Sequence, residues 1–157
     1  MKQNRVTGLF VSLLFLTGCF QLKKQKVETI KIVNVLDKVF YDDCHIKNSV
    51  HVPFVDIEKY AQKWPRTTKI VVYCSNYSCT ASGYAAKLLK KMGFEYVKAY
   101  EAGMAGWYQA QLPYEGPAKE SYLTLENKPR ELGSGDEDLV IMTQELKELM
   151  EKELNNN

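Results

Sequence analysis

Histidine occurs only twice in this chain, at His45 and His51, and cysteine only four times, at Cys19, Cys44, Cys74 and Cys79. Ligands so few and so irregularly spaced make neither a zinc motif nor a disulfide framework, and no metal or other cofactor is expected. Charge of one sign is also lacking. The 21 basic and 19 acidic residues leave a net charge of +2 and are spread along the chain, so there is no basic footprint and nucleic acid is not an expected partner. The apolar run Leu9-Phe10-Val11-Ser12-Leu13-Leu14-Phe15-Leu16 is too short for a comfortable transmembrane span. What is present is ordinary globular composition, 45% apolar and 25% charged over 157 residues, which suits one domain.

That short run has a targeting context. Lys2 and Arg5 precede it as a charged n-region, and it ends in Leu16-Thr17-Gly18-Cys19, which looks like a bacterial lipobox. Small residues there admit a signal peptidase, and the cysteine sulfur takes the lipid. Residues 1–18 are read as a lipoprotein signal peptide and 19–28 as a tether, with Cys19 the lipidation site. A plain signal peptide or an N-terminal anchor is the alternative. Acyl chains on Cys19 would hold the protein at a membrane, each buried methylene contributing about 0.8 kcal/mol. The cell envelope is the expected location. In a host with two membranes, Phe20 after the cysteine resembles sorting to the outer one, facing the periplasm.

The mature chain alternates strand and helix patterns. Residues 29–36 are β-rich, Val50-His51-Val52 precedes Pro53 as a short strand, Lys69-Ile70-Val71-Val72-Tyr73 is nearly continuous apolar, and 96–100 make a fourth strand. Helices are predicted over 56–63 and 81–92, the second carrying Ala81, Ala85, Leu88, Leu89 and Met92 on one stripe and stopping at Gly93. Such alternation argues for an α/β fold with a parallel sheet. Residues 113–136 are polar and carry Pro and Gly, as a loop or linker does. Helical periodicity returns near the end, with Thr143 a candidate cap and Leu146, Leu149 and Met150 on one side.

Cys74 follows the most buried strand directly, and Ser75-Asn76-Tyr77-Ser78-Cys79-Thr80 separates it from the next helix. Open parallel sheets bind ligands at the carboxyl ends of their strands, where a loop entering a helix offers free amides and a positive dipole end. That setting lowers a thiol from its usual pKa of about 8.5 and raises its nucleophilicity. A buried structural cysteine explains the same position equally well.

The blocks around Cys74 resemble a known family. Ile70-Val71-Val72-Tyr73-Cys74, its loop and the helix running to Lys91-Met92-Gly93-Phe94 are similar to the active-site unit of rhodanese domains. Tyr41-Asp42-Asp43-Cys44-His45, leading to Val52-Pro53, resembles the family's Gly-His-Ile segment, and Tyr100-Glu101-Ala102-Gly103-Met104-Ala105-Gly106-Trp107 its closing helix. The resemblance covers residues 29–117. It implies a rhodanese-like central parallel sheet of about five strands flanked by helices on both faces. It also implies a sulfurtransferase whose cysteine, here Cys74, carries sulfane sulfur as a persulfide, with Ser75, Asn76, Tyr77, Ser78, Cys79 and Thr80 as the substrate-binding loop. The partners so implied are a small sulfur-containing donor and a thiol or cyanide-like acceptor; a protein partner is compatible.

The chain departs from the family pattern in several places. Asn34-Val35-Leu36 stands where the family has Asp-x-Arg. Cys79 takes the place of the loop arginine, a bidentate anion partner, and the loop is about two residues longer, with Ser82 rather than Thr80 matching the residue after that arginine. Cys79 is either a resolving thiol or a packing residue, and Cys44 and His45 read as structural. Trp107 and Met104 read as core. The opening strand and helix of the family are missing ahead of residue 29. Residues 118–138 are then a linker, and 139–157 either fold back to complete the domain or form an exposed helix for a partner. Three functions stay open: a membrane-anchored sulfurtransferase, a non-catalytic binding module of the same fold, and a thiol-disulfide protein using Cys74 and Cys79. A phosphatase of this fold needs an arginine where Thr80 stands.

Overall fold

The computed structural model describes residues 30–129 and 137–155. Cys19, the signal segment, the tether and residues 130–136 of the linker lie outside them. The strands are β1 (Ile30–Asn34), β2 (His45–Ile46), β3 (Val50–His51), β4 (Lys69–Tyr73), β5 (Val97–Tyr100) and β6 (Tyr114–Glu115). The helices are α1 (Lys38–Asp43), α2 (Ile57–Ala61), α3 (Ala81–Lys91), α4 (Gly103–Gln109) and α5 (Thr143–Asn155).

β-Branched side chains favour a pleated backbone, and β4 carries them where both faces must be covered. Ile70, Val71, Val72 and Tyr73 are all fully buried. Ile70, Val72 and Cys74 point into a cluster with α2 and α3, whereas Val71 and Tyr73 point into a second one with α4 and α5. The parallel order is β3-β1-β4-β5, and Asn34, Tyr73 and Tyr100 stand level across its carboxyl ends. Whatever follows β4 therefore emerges at the middle of one edge.

Among the described residues the main sheet has four strands, not about five. On the outer side of β5 a single residue, Val140, makes a parallel bridge to Ala99, and the Ile141 amide donates to the Ala99 carbonyl at 3.1 Å. A 3-10 turn at Glu137–Leu139 and the start of α5 at Thr143 leave no room for a longer strand. Leu139, Ile141 and Leu146 are buried, so the tail packs on the sheet and its helices. Thr143 does not cap α5: its hydroxyl bonds the Tyr100 hydroxyl at 2.9 Å, and Glu145 reaches back to the Met142 amide instead.

Candidate active site

The start of the β4–α3 loop is clamped from α4. Met104 donates to the Cys74 carbonyl at 2.9 Å and Ala105 to that of Ser75 at 2.8 Å. Gly103 permits this approach. Its φ is +61°, and a Cβ there would stand 2.6 Å from the Ser75 carbonyl carbon and 2.7 Å from the Cys74 oxygen. Only glycine combines that backbone angle with that contact.

Within the loop, Asn76 accepts the Ser78 amide on its side chain and the Cys79 amide on its carbonyl, both at 3.0 Å. The Asn127 side chain accepts the Tyr77 amide at 3.0 Å and donates to the Ala102 carbonyl at 2.9 Å. The segment beyond α4 thus ties down the middle of the loop. Ser78 and Thr80 are exposed, and Thr80 makes no side-chain cap bond to α3.

The two loop sulfurs have opposite surroundings. Cys74 has no exposed surface, and its thiol faces the Cys79 carbonyl and the Ser82 hydroxyl, each at 3.4 Å. Its hydrogen bond to Cys79 and its burial raise its pKa well above the ordinary thiol value. Cys79 is half-buried. The hydrogen bond from Cys74 lowers its pKa to about 6 against the opposing effect of burial, helped by the amides of Ala81 and Ser75 and the Ser75 hydroxyl. The thiolate is the form such donors stabilise.

The expectation that loop amides and the helix dipole would activate Cys74 therefore needs correction. These donors converge on Cys79, at the entrance to α3, because strand alternation turns Cys74 inward to the core beneath the loop. Ser82 does reach Cys74 and is itself buried. Asn127 and Gly103 complete the site, and the local sequence around Cys74 pointed to neither.

Cys44 is fully buried in the other cluster, across the sheet from Cys74, and burial pushes its thiol up to about 11. It is a packing residue. His45 stacks on Tyr41 at 3.9 Å and donates from Nδ1 to the Tyr41 carbonyl at 2.7 Å. Its Nε2 lies 3.3 Å from Glu115, a carboxylate delivered by the antiparallel pairing of β2 with β6. His51 bonds the Leu36 carbonyl at 2.8 Å. Both histidines hold backbone. Trp107 is buried and donates to the Pro113 carbonyl at 2.8 Å, and Met104 is buried beside it. Among the described residues no three His, Cys, Asp or Glu side chains converge as metal ligands.

The family model described as "Rhodanese-like domain" matches residues 21–110, more than half of the chain. "Putative sulfur carrier protein YrkF" of Bacillus subtilis is 34% identical over 87 residues, 54% of this chain and 46% of that protein. The chain thus spans about half the length of that relative. "Thiosulfate sulfurtransferase GlpE" of Coxiella burnetii is 29% identical over 82 residues, 52% of this chain and 75% of that protein. Among solved structures, the BH2092 protein of Bacillus halodurans superposes with a TM-score of 0.55 at 27% identity, over 63% of this chain and 73% of its own. The Rhodanese_3 like domain of the Anabaena Alr3790 protein does so at 0.51 and 27% identity, over 56% and 93%.

Proposed function

The chain belongs to the rhodanese-like domain family, and we propose that it is a sulfurtransferase that moves sulfane sulfur through a persulfide on Cys74 while a lipid on Cys19 holds it at the cell envelope. The donor is a small sulfur compound of the thiosulfate or persulfide type, and the acceptor is a thiol or a cyanide-like nucleophile. One observation carries the reading: at the carboxyl end of the central strand the Cys74 thiol meets the Cys79 carbonyl and the Ser82 hydroxyl, each at 3.4 Å, with the half-buried Cys79 beside it at the start of α3. Sulfur anions, whether thiolate, persulfide or bound donor, are what donors at a helix start stabilise. The name of the Coxiella relative supports the same class of reaction. Lys2, Arg5 and the box ending at Cys19 support the anchor.

Intact-mass spectrometry of the reduced protein after incubation with thiosulfate tests the transfer. One added sulfur atom that cyanide removes is the expected result. The sealed position of Cys74 and the missing loop arginine favour a binding module of the same fold as the second reading. An unchanged mass in folded, reduced protein argues for that one instead.

A further inference from the structure

We propose that Cys79 is the thiol that meets the sulfur donor and that it relays the sulfane sulfur inward to Cys74; this rests on the sulfurtransferase reading. A sulfur with no exposed surface cannot be reached by an external anion while the loop keeps its shape, and Cys74 is such a sulfur. Cys79 is half-buried, stands five residues on at the entrance to an eleven-residue helix, and takes the Cys74 thiol on its carbonyl at 3.4 Å. The Ala81 and Ser75 amides and the Ser75 hydroxyl face it. They supply the positive field that the missing arginine would have given to an approaching anion.

The chemistry balances without a further reactant. The Cys79 thiolate attacks the outer sulfur of thiosulfate, a new S–S bond forms, and sulfite leaves with the old bonding pair. The Cys74 sulfur then attacks the outer sulfur of that persulfide. The Cys74 proton passes to the departing Cys79 sulfur, which leaves with the pair, so Cys79 is regenerated, Cys74 ends as the persulfide at the oxidation level that thiosulfate's sulfane sulfur brought in, and sulfite is the one product released. The more acidic thiol is the better leaving group and the less acidic one the stronger nucleophile, so the order Cys79 to Cys74 is the favoured direction. Sulfur stored on Cys74 is then shielded from solvent.

Thiosulfate loading of the full chain at pH 7, followed by intact mass over time, tests the relay. Cys74→Ser is expected still to take up one sulfur, which peptide mapping places on Cys79, whereas Cys79→Ser and Cys79→Ala are expected to load at least roughly tenfold more slowly than wild type, since they lose the reactive thiolate. Cys79 variants that load at the wild-type rate, with no loading of Cys74→Ser, overturn the relay and leave the sulfurtransferase reading intact. A wild-type protein that takes up no sulfur removes both. Should the Cys79 variants lose their thermal transition, pulsed iodoacetamide labelling of wild type with peptide mapping decides. Cys79 is expected to react before Cys74, at a rate that climbs from about pH 5 and levels off above about pH 7, around its depressed pKa near 6. Labelling of Cys74 first overturns the relay.

Discussion

At the scale of single residues, the site is shaped by alternation and by one glycine. Cys74 continues the inward side of β4, so its burial follows from the same pleat that buries Ile70 and Val72. Gly103 lets α4 grip the loop, and Gly103→Ala is expected to cost about 1–3 kcal/mol from the positive φ, with more from the backbone contact. Urea unfolding reads the loss of stability, and slower thiosulfate loading reads the displaced loop. A variant with unchanged midpoint and loading would show that the clamp is dispensable. Much at this scale was legible in the sequence: an apolar strand ending in a thiol, with a loop and a helix after it, defines the place. Which thiol the amides serve was not legible, because that depends on how the six loop residues Ser75 to Thr80 turn. Asn127 lies 50 residues from Tyr77, and no local pattern links the two.

At the scale of elements, β4 and α3 were readable because a nearly continuous apolar run and a 3.6-residue period leave little choice. β2 and β6, of two residues each, have no period to read, yet their pairing brings Glu115 to His45. The C-terminal segment is the most informative element. Leu139, Ile141 and Leu146 are 4%, 5% and 0% exposed, and each such side chain contributes about 1.5–3 kcal/mol when buried. Lys98 adds a 2.6 Å bond to the Asp138 carbonyl, and Lys69 a 3.6 Å ion pair with Glu153. Deleting residues 137–157 is therefore expected to lower the thermal midpoint by more than about 10 °C. A midpoint that stays put would mean that the tail is no part of the cooperative unit.

At the scale of the whole molecule, the proposed lipid on Cys19 would decide where the domain works. Cys19→Ser, expressed in a bacterium with a lipoprotein pathway, is expected to lose palmitate labelling and to leave the membrane fraction while keeping thiosulfate loading. Retention of the label on that variant removes the lipid anchor from the reading. No signal in the folded part bears on this, since a lipobox is recognised before folding. The bridge between Val140 and Ala99 has a consequence for solubility as well. A sheet flank with open main-chain donors and acceptors recruits other copies of itself. By occupying that flank of β5, one valine and the helix behind it act as an edge guard, and a population shortened by proteolysis after residue 136 would aggregate before it had wholly unfolded.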